Sequence, residues 1–219
     1  RPILYVINTH YHGDHTFGNQ HFKEAREIIA HRNTKDNLIE KKEEHMKTFI
    51  RFFGKERAKG VTLTPPTTTI EKGLSLAVGE ERIEIEFIGK GHTDGDVVVY
   101  LPKKGVLFAG DLLYKDRLPW VGDGDTYTWL EALKKLSLYD ASIFVPGHGG
   151  IGDKSIVNLF MSYLEDLHRE VNRLKQMGLS LKRVKEEIRL PGYQDYKKYK
   201  EWLSLNAEKV YRELDERSQ

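Results

Sequence analysis

His10-Tyr11-His12-Gly13-Asp14-His15 sets four potential metal ligands within six consecutive positions, directly behind the apolar run Ile3-Leu4-Tyr5-Val6-Ile7. Packing does not account for them, because each buried polar group must find a partner or cost stability. Strand alternation would put His10, His12 and Asp14 on one face, but Gly13 favours a loop at the strand's end. Neutral imidazoles with a carboxylate are the donors a divalent zinc ion takes where no thiolate is offered. The chain contains no cysteine.

Three more ligand types follow, each behind a short apolar segment. Gly91-His92-Thr93 comes after the alternating stretch Arg82-Ile83-Glu84-Ile85-Glu86-Phe87-Ile88, which reads as a strand. Gly110-Asp111 comes after Val106-Leu107-Phe108-Ala109, and Pro146-Gly147-His148-Gly149 after Ile143-Phe144-Val145. The pattern places all four candidates at strand-to-loop exits, with glycines that let backbone approach an ion closely. Together they supply five histidines and two aspartates, enough for two metals.

In this order, Thr9-His10-Tyr11-His12-Gly13-Asp14-His15, Gly91-His92-Thr93, Gly110-Asp111 and Pro146-Gly147-His148 resemble the signature of the metallo-β-lactamase-fold hydrolases, over residues 1 to about 150. The resemblance implies an α+β fold, a four-layer αββα sandwich. Members of that family place several strands and a helix ahead of the histidine loop, so the expectation is a sandwich incomplete at its N-terminus. A catalytic domain over residues 1–152 and a helical C-terminal extension over 153–219, packed on it, are expected.

The same resemblance implies that His10, His12 and His92 hold one metal, that Asp14, His15 and His148 hold a second, and that Asp111 bridges them. Two Zn2+ per chain are expected, with iron or manganese as alternatives. Aspartate at 111 departs from the true lactamases and is the arrangement of glyoxalase II and lactonases. Zinc lowers the pKa of bound water toward about 7. The implied activity is therefore hydrolysis of a small ester, thioester, lactone or lactam by a metal-bound hydroxide, which Asp14 also helps to orient. A phosphodiesterase and an iron-dependent, sulfur dioxygenase-like oxidoreductase are the alternatives. The flavodiiron pattern carries glutamate where His12 stands. Thr93, Asp94 and Asn8 are candidates to orient the histidines from behind.

Composition narrows the partners. Basic and acidic residues number 35 and 33, for a formal charge of +2, and they are interleaved along the chain. No basic, aromatic-interleaved stretch flanks the metal motifs, so a small-molecule substrate is expected and a nucleic acid is not. No apolar run reaches the length of a membrane span, so no membrane partner is expected, and the cysteine-free composition points to the cytoplasm.

Between the motifs, residues 26 to 31 read as a strand ending at His31, with Asn33 or Thr34 as the cap of one helix running to about Ala58. Lys41-Lys42-Glu43-Glu44 reads as that helix's solvated face. Pro65-Pro66 and the surrounding threonines read as a loop, Leu74 to Val78 as a strand, and 96–101 with 105–109 as a hairpin. Asp125 or Thr126 caps a helix carrying Trp129 and Leu133, and capping explains Asp125 better than a calcium loop does. Trp120 suits two roles, lining a substrate pocket or anchoring its loop to the core. From Ile156 the apolar spacing predicts an amphipathic helix ending near Gly178, then helices at about 180–188 and 203–215. This tail has three open roles: covering the site, packing on the second sheet, or a homodimer contact. His21, His45 and His168 stand outside any ligand cluster and read as structural or exposed.

Overall fold

Short strands of β-branched and aliphatic residues build the first sheet of the computed structural model, which describes residues 2–218. Strand β1 (Tyr5–Ile7) leads through the histidine loop into α1 (Gly13–Thr16), and β2 (Glu27–His31) follows. Three helices come next, α2 (Arg32–Glu40), α3 (Lys42–Phe53) and α4 (Lys55–Ala58), and then β3 (Thr68–Ile70). The sheet has the order β1-β2-β3, all parallel. Thr68 and Thr69, read from sequence as loop, form β3 with Ile70. Thr67 Oγ1 accepts from Ile28 N at 2.9 Å, and Thr68 and Thr69 pair with Ile29 and Ala30, where β-branched threonine fits a pleated surface.

The single helix expected from residue 33 or 34 to Ala58 is three. Its start is capped by His31, whose Nδ1 accepts from Asn33 N at 3.1 Å. Asn33 and Thr34 are engaged elsewhere, donating to Asp94 O at 2.9 Å and Gly95 O at 2.8 Å. The cap thus moves to His31 because the two expected capping side chains tether the His92 loop. The later break falls at Gly54, whose φ of 89° suits glycine. Lys41 to Glu44 are exposed as expected.

The second sheet contains β4 (Gly73–Val78), β5 (Glu81–Phe87), β6 (Val97–Leu101), β7 (Val106–Tyr114) and β8 (Ile143–His148) in sequence order. It is antiparallel as far as β7, and β8 runs parallel to β7. Helix α5 (Thr126–Leu136) makes the β7-to-β8 crossover, capped as expected by Asp125, which accepts from Tyr127 N and Thr128 N. β7 runs five residues past the expected Ala109. Asp111 therefore lies inside a strand and not at its exit, because the buried run Ala109–Tyr114 continues the pairing past an irregularity at Gly110.

Helices α6 (Ser155–Gln176), α7 (Leu181–Glu187) and α8 (Tyr199–Arg217) follow. The last begins four residues before the expected position 203, which places Trp202 on it. One core cluster joins Ile29 and Ile70 of the first sheet to Ile85 and Val97 of the second. A larger one joins the second sheet, through Leu107 and Leu112, to Trp129 of α5, Leu164 of α6 and Val210 of α8. The helices after residue 153 share that core. With α2 against the first sheet, the layers run helix, sheet, sheet, helix. No helix among the described residues is long and apolar enough to cross a membrane.

Candidate metal centre

Local hydrogen bonding fixes the histidine loop before any ion is considered. The buried Asn8 carboxamide donates to His15 O at 3.1 Å and to Asn19 Oδ1 at 2.9 Å, and accepts from Asn19 Nδ2 at 2.8 Å. Thr16 Oγ1 donates to Tyr11 O and His12 O. Residues 8 to 19 are thus closed on themselves. The His92 loop is held by Asp96, which accepts from Thr93 N at 2.8 Å and Thr93 Oγ1 at 2.6 Å. Burial raises the Asp96 carboxyl to about 8. Gly147 explains how β7 and β8 meet at the site. A Cβ there would stand 1.9 Å from Asp111 Oδ1, so only glycine lets the carboxylate occupy its position.

The seven expected residues come together as two groups. In the first, His12 Nδ1 lies 3.1 Å from His10 Nε2 and 2.8 Å from His92 Nε2. Asp111 Oδ2 stands 3.5 Å from His92 Nε2 and 4.0 Å from His10 Nε2. In the second, Asp14 Oδ2 lies 3.6 Å from His15 Nε2 and 3.3 Å from His148 Nε2. Asp111 reaches this group too, with Oδ1 3.1 Å from His15 Nε2 and Oδ2 3.3 Å from His148 Nε2. Within each group one donor atom per residue lies within 4.8 Å of the others. The same carboxylate touches both.

The charge states differ between the groups. Burial pushes the fully buried His92 down to about 3, and burial with the neighbouring His15 holds His10 well below its usual value. Both present neutral lone pairs. Burial also opposes protonation of His148, but hydrogen bonds to Asp111 and Asp14 outweigh it and raise it to about 9. His15 is raised likewise, by Asp111 and Asp14 against its burial. Asp111 is held well below the usual carboxylate range, the surrounding histidines overcoming its burial.

Two buried atoms, His15 Nε2 and Asp111 Oδ1, lack a hydrogen-bond partner of good geometry. Such atoms cost stability unless something else satisfies them. Three inward-facing imidazoles in one group cannot satisfy one another without protons to share. A divalent cation held by each group would satisfy these atoms, and an all-nitrogen-and-oxygen donor set suits zinc.

The outer partners differ from those expected. Thr93 bonds Asp96, Asp94 Oδ1 accepts from Asn37 Nδ2 at 2.9 Å, and Asn8 bonds Asn19. These three hold loops and touch no ligand ring. The rings are oriented by Thr9 Oγ1 on His10 Nδ1 at 3.1 Å, by Trp120 O on His92 Nδ1 at 3.0 Å, and by Asp123 Oδ2 on His12 Nε2 at 3.2 Å. Tyr114 OH donates to Asp111 Oδ2. Nothing in the spacing of Asp123 or Tyr114 announced these contacts, which depend on the irregular course of β7 between Gly110 and Tyr114 and on the path of the chain after it. His45 is buried against Tyr11 and lines the cavity above the ligands, His21 is exposed, and His168 bonds Thr126.

That cavity has a volume of about 470 Å³, within the range of small-molecule sites. His12, Asp14 and His148 form part of its floor, and Phe49, Phe52 and Trp120 part of its walls. Trp120 combines its two expected roles. It lines the cavity while Nε1 donates to Asp123 Oδ2 at 2.7 Å and its ring meets Trp202 at 5.8 Å.

Residues 1–148 match the family model described as the metallo-beta-lactamase superfamily. Among curated relatives, metallo-beta-lactamase IND-1 of Chryseobacterium indologenes is 28% identical over 152 residues, covering 67% of this chain and 56% of the relative. Metallo-beta-lactamase type 2 of Bacillus cereus is 28% identical over 162 residues, covering 72% and 56%. The solved structure of a metallo-beta-lactamase from Pontibacter korlensis superposes with a TM-score of 0.63 at 26% identity, covering 75% of this chain and 70% of that one. The chain spans about half the length of the curated relatives it matches.

Proposed function

This chain belongs to the metallo-beta-lactamase superfamily, and on that footing we propose that it is a metal-dependent hydrolase of small acyl compounds, working with two zinc ions. The observation that carries the reading is the pair of ligand groups joined through Asp111 beneath a cavity of substrate size. His10, His12 and His92 would hold one ion, Asp14, His15 and His148 the other, and Asp111 both. When bound, such a pair supplies water ionised near neutral pH and a Lewis acid for the substrate carbonyl.

The chain's own residues do the rest. Asp14, on the first turn of α1 and hydrogen-bonded to His148, stays ionised and orients the attacking water. Tyr114 holds the Asp111 carboxylate in place, and Trp120 fixes His92 while presenting its ring to the substrate. Phe49 and Phe52 keep bulk water from an apolar acyl group. The relatives named as metallo-beta-lactamases support a lactam as the bond cleaved, and aspartate at 111, the arrangement that resembles glyoxalase II and lactonases, supports an ester, thioester or lactone. The near-balanced charge supports a small molecule over a nucleic acid.

The test is metal analysis of protein purified without chelator, followed by assays on thioesters, lactones, β-lactams and bis-phosphodiesters with zinc supplied. About two equivalents of zinc with acyl cleavage are expected. A single iron, or cleavage confined to the phosphodiester, overturns the reading.

A further inference from the structure

His45 of α3 is a buried histidine that neither ligand group uses. Its ring packs on Tyr11, with centroids 4.7 Å apart, and lines the cavity above the ligands. Nε2 lies 3.2 Å from Asn37 O. A carbonyl oxygen only accepts, so Nε2 carries the proton, and a neutral ring then leaves Nδ1 as a bare lone pair. Burial favours that neutral form, since it lowers the ring below its usual value. Nδ1 has no hydrogen-bond partner among the described residues, yet it is not sealed from solvent as His15 Nε2 is. It is an acceptor open to whatever occupies the cavity.

The surrounding bonds fix where that acceptor stands. Asn37 O, its anchor, also accepts from Lys41 N at 2.9 Å at the end of α2. Asn37 Nδ2 donates to Asp94 Oδ1 at 2.9 Å, which ties the anchor to the His92 loop. Along α3, Thr48, Phe49 and Phe52 line the same cavity. Residues three, four and seven apart share one helical face. The helix therefore presents a stripe that is polar at His45 and Thr48 and aromatic beyond, where the Phe52 ring meets Trp120 with centroids 6.2 Å apart. The carboxylates of the cavity, Asp14, Asp111 and Asp123, are engaged by the histidine floor. An uncharged acceptor on the opposite wall reads a different group.

We propose that His45 is a specificity-determining residue, its Nδ1 accepting from a neutral donor, a hydroxyl or an amide N–H, on a substrate whose apolar body rests on Phe49, Phe52 and Trp120. A hydroxyl that donates to His45 can accept in turn from the Thr48 hydroxyl. An ether offers Nδ1 nothing. A site built this way rejects an analogue that lacks the donor, because the lone pair is then left unpaired. That the bound compound is a substrate rests on the hydrolytic reading above, whereas the binding of the donor does not.

The experiment titrates the full chain, as purified and with its metal content measured, with benzyl alcohol, phenylacetamide and benzyl methyl ether, followed by nitrogen NMR of isotope-labelled histidine. In the free protein His45 is the Nε2–H tautomer. Its Nδ1 resonance moves when the alcohol or the amide is added and stays when the ether is added. At least one of the two donors binds tighter than the ether by about fivefold, the size of one neutral hydrogen bond. A preference for the alcohol identifies a hydroxyl as the group read, one for phenylacetamide an amide N–H, and either supports the proposal. His45→Gln keeps a donor for Asn37 O but loses the ring acceptor. It abolishes the preference and leaves metal content and ether affinity unchanged, and Thr48→Val reduces the preference for the alcohol. Should His45→Gln fail to melt cooperatively, His45→Phe, which keeps a ring against Tyr11, takes its place. Equal affinity for the ether and both donors overturns the proposal, as does an Nδ1–H tautomer. A preference that survives the change at His45 overturns it too, since the donor would then sit on the metals. Because binding needs no turnover, a protein that hydrolyses nothing yet prefers the donors defeats the proposed activity alone.

Discussion

His10 and His92 at the metal centre and His168 on α6 are all pushed down by burial, His168 to about 4 and His92 to about 3, yet their surroundings differ in kind. His168 Nε2 meets Thr126 Oγ1 at 2.6 Å, and that hydroxyl donates in turn to Glu213, which also accepts from Thr126 N at 3.1 Å. This second cluster satisfies itself and latches α6 and α8 to the start of α5. At the candidate metal centre the inward nitrogens of His10 and His92 find only another imidazole and Asp111, while His15 Nε2 and Asp111 Oδ1 face each other at 3.1 Å without good hydrogen-bond geometry. A depressed histidine is common to both places. Convergent, unsatisfied lone pairs belong to one, and they mark it as the candidate ligand site.

The sharpest way to break that contrast is Asp111→Ala. It removes the group shared by both ligand sets, and activity should fall by more than about 100-fold with loss of metal. Metal content by mass spectrometry and melting by circular dichroism read the two effects separately. Retention of two metals would show that the convergence around Asp111 is not a binding device. Tyr114→Phe is milder, since it removes one donor behind that carboxylate. Metal affinity, measured by competition with a chelator, should weaken by roughly 10- to 100-fold.

At the latch the outcome inverts. Thr126→Val leaves His168 and Glu213 without their shared partner, which should cost about 1–3 kcal/mol. Melting should fall by roughly 2–4 °C for each kcal/mol, with metal content unchanged. A loss of metal instead would mean that the latch belongs to the site.

The smallest effect is in acid. His168 binds its proton near pH 4 when folded and near its ordinary value of 6.5 when unfolded. Between these values the unfolded chain holds more protons, so the contribution is complete above pH 6.5 and is lost as pH falls toward 4. Glu213, raised by burial, works with the opposite sign. A metal-free melting series from pH 7 to 4 should therefore show a shallower decline in His168→Gln than in the parent chain. An unchanged slope would remove His168 from the account.

The candidate ligands could be read early because their chemistry is local. His10, His12, Asp14 and His15 crowd one turn, and His92 and His148 each follow a short apolar run ended by glycine, so residue type and spacing sufficed. The amphipathic face of α6 was legible for the same reason, its apolar residues recurring at three and four. Boundaries set by partners were not. The helix after β2 is capped by His31 because Asn33 and Thr34 are drawn to the His92 loop. β3 exists because β2 offers its threonines a ladder, and β7 passes through Asp111 because α5 and α6 bury its far end.

By itself, then, the sequence determined which residues are candidate donors, the aromatic character of the segments around the site and, through its resemblance to a known family, the four-layer plan. Only the tertiary structure decided that Asp123 stands behind His12, and that Arg117 and Lys198 share one wall. The reason is range. Ligand type, capping and amphipathic period act over a few residues and are written in neighbouring letters. A carboxylate set against an imidazole more than a hundred positions away depends on how sheets and helices pack, which no local pattern encodes.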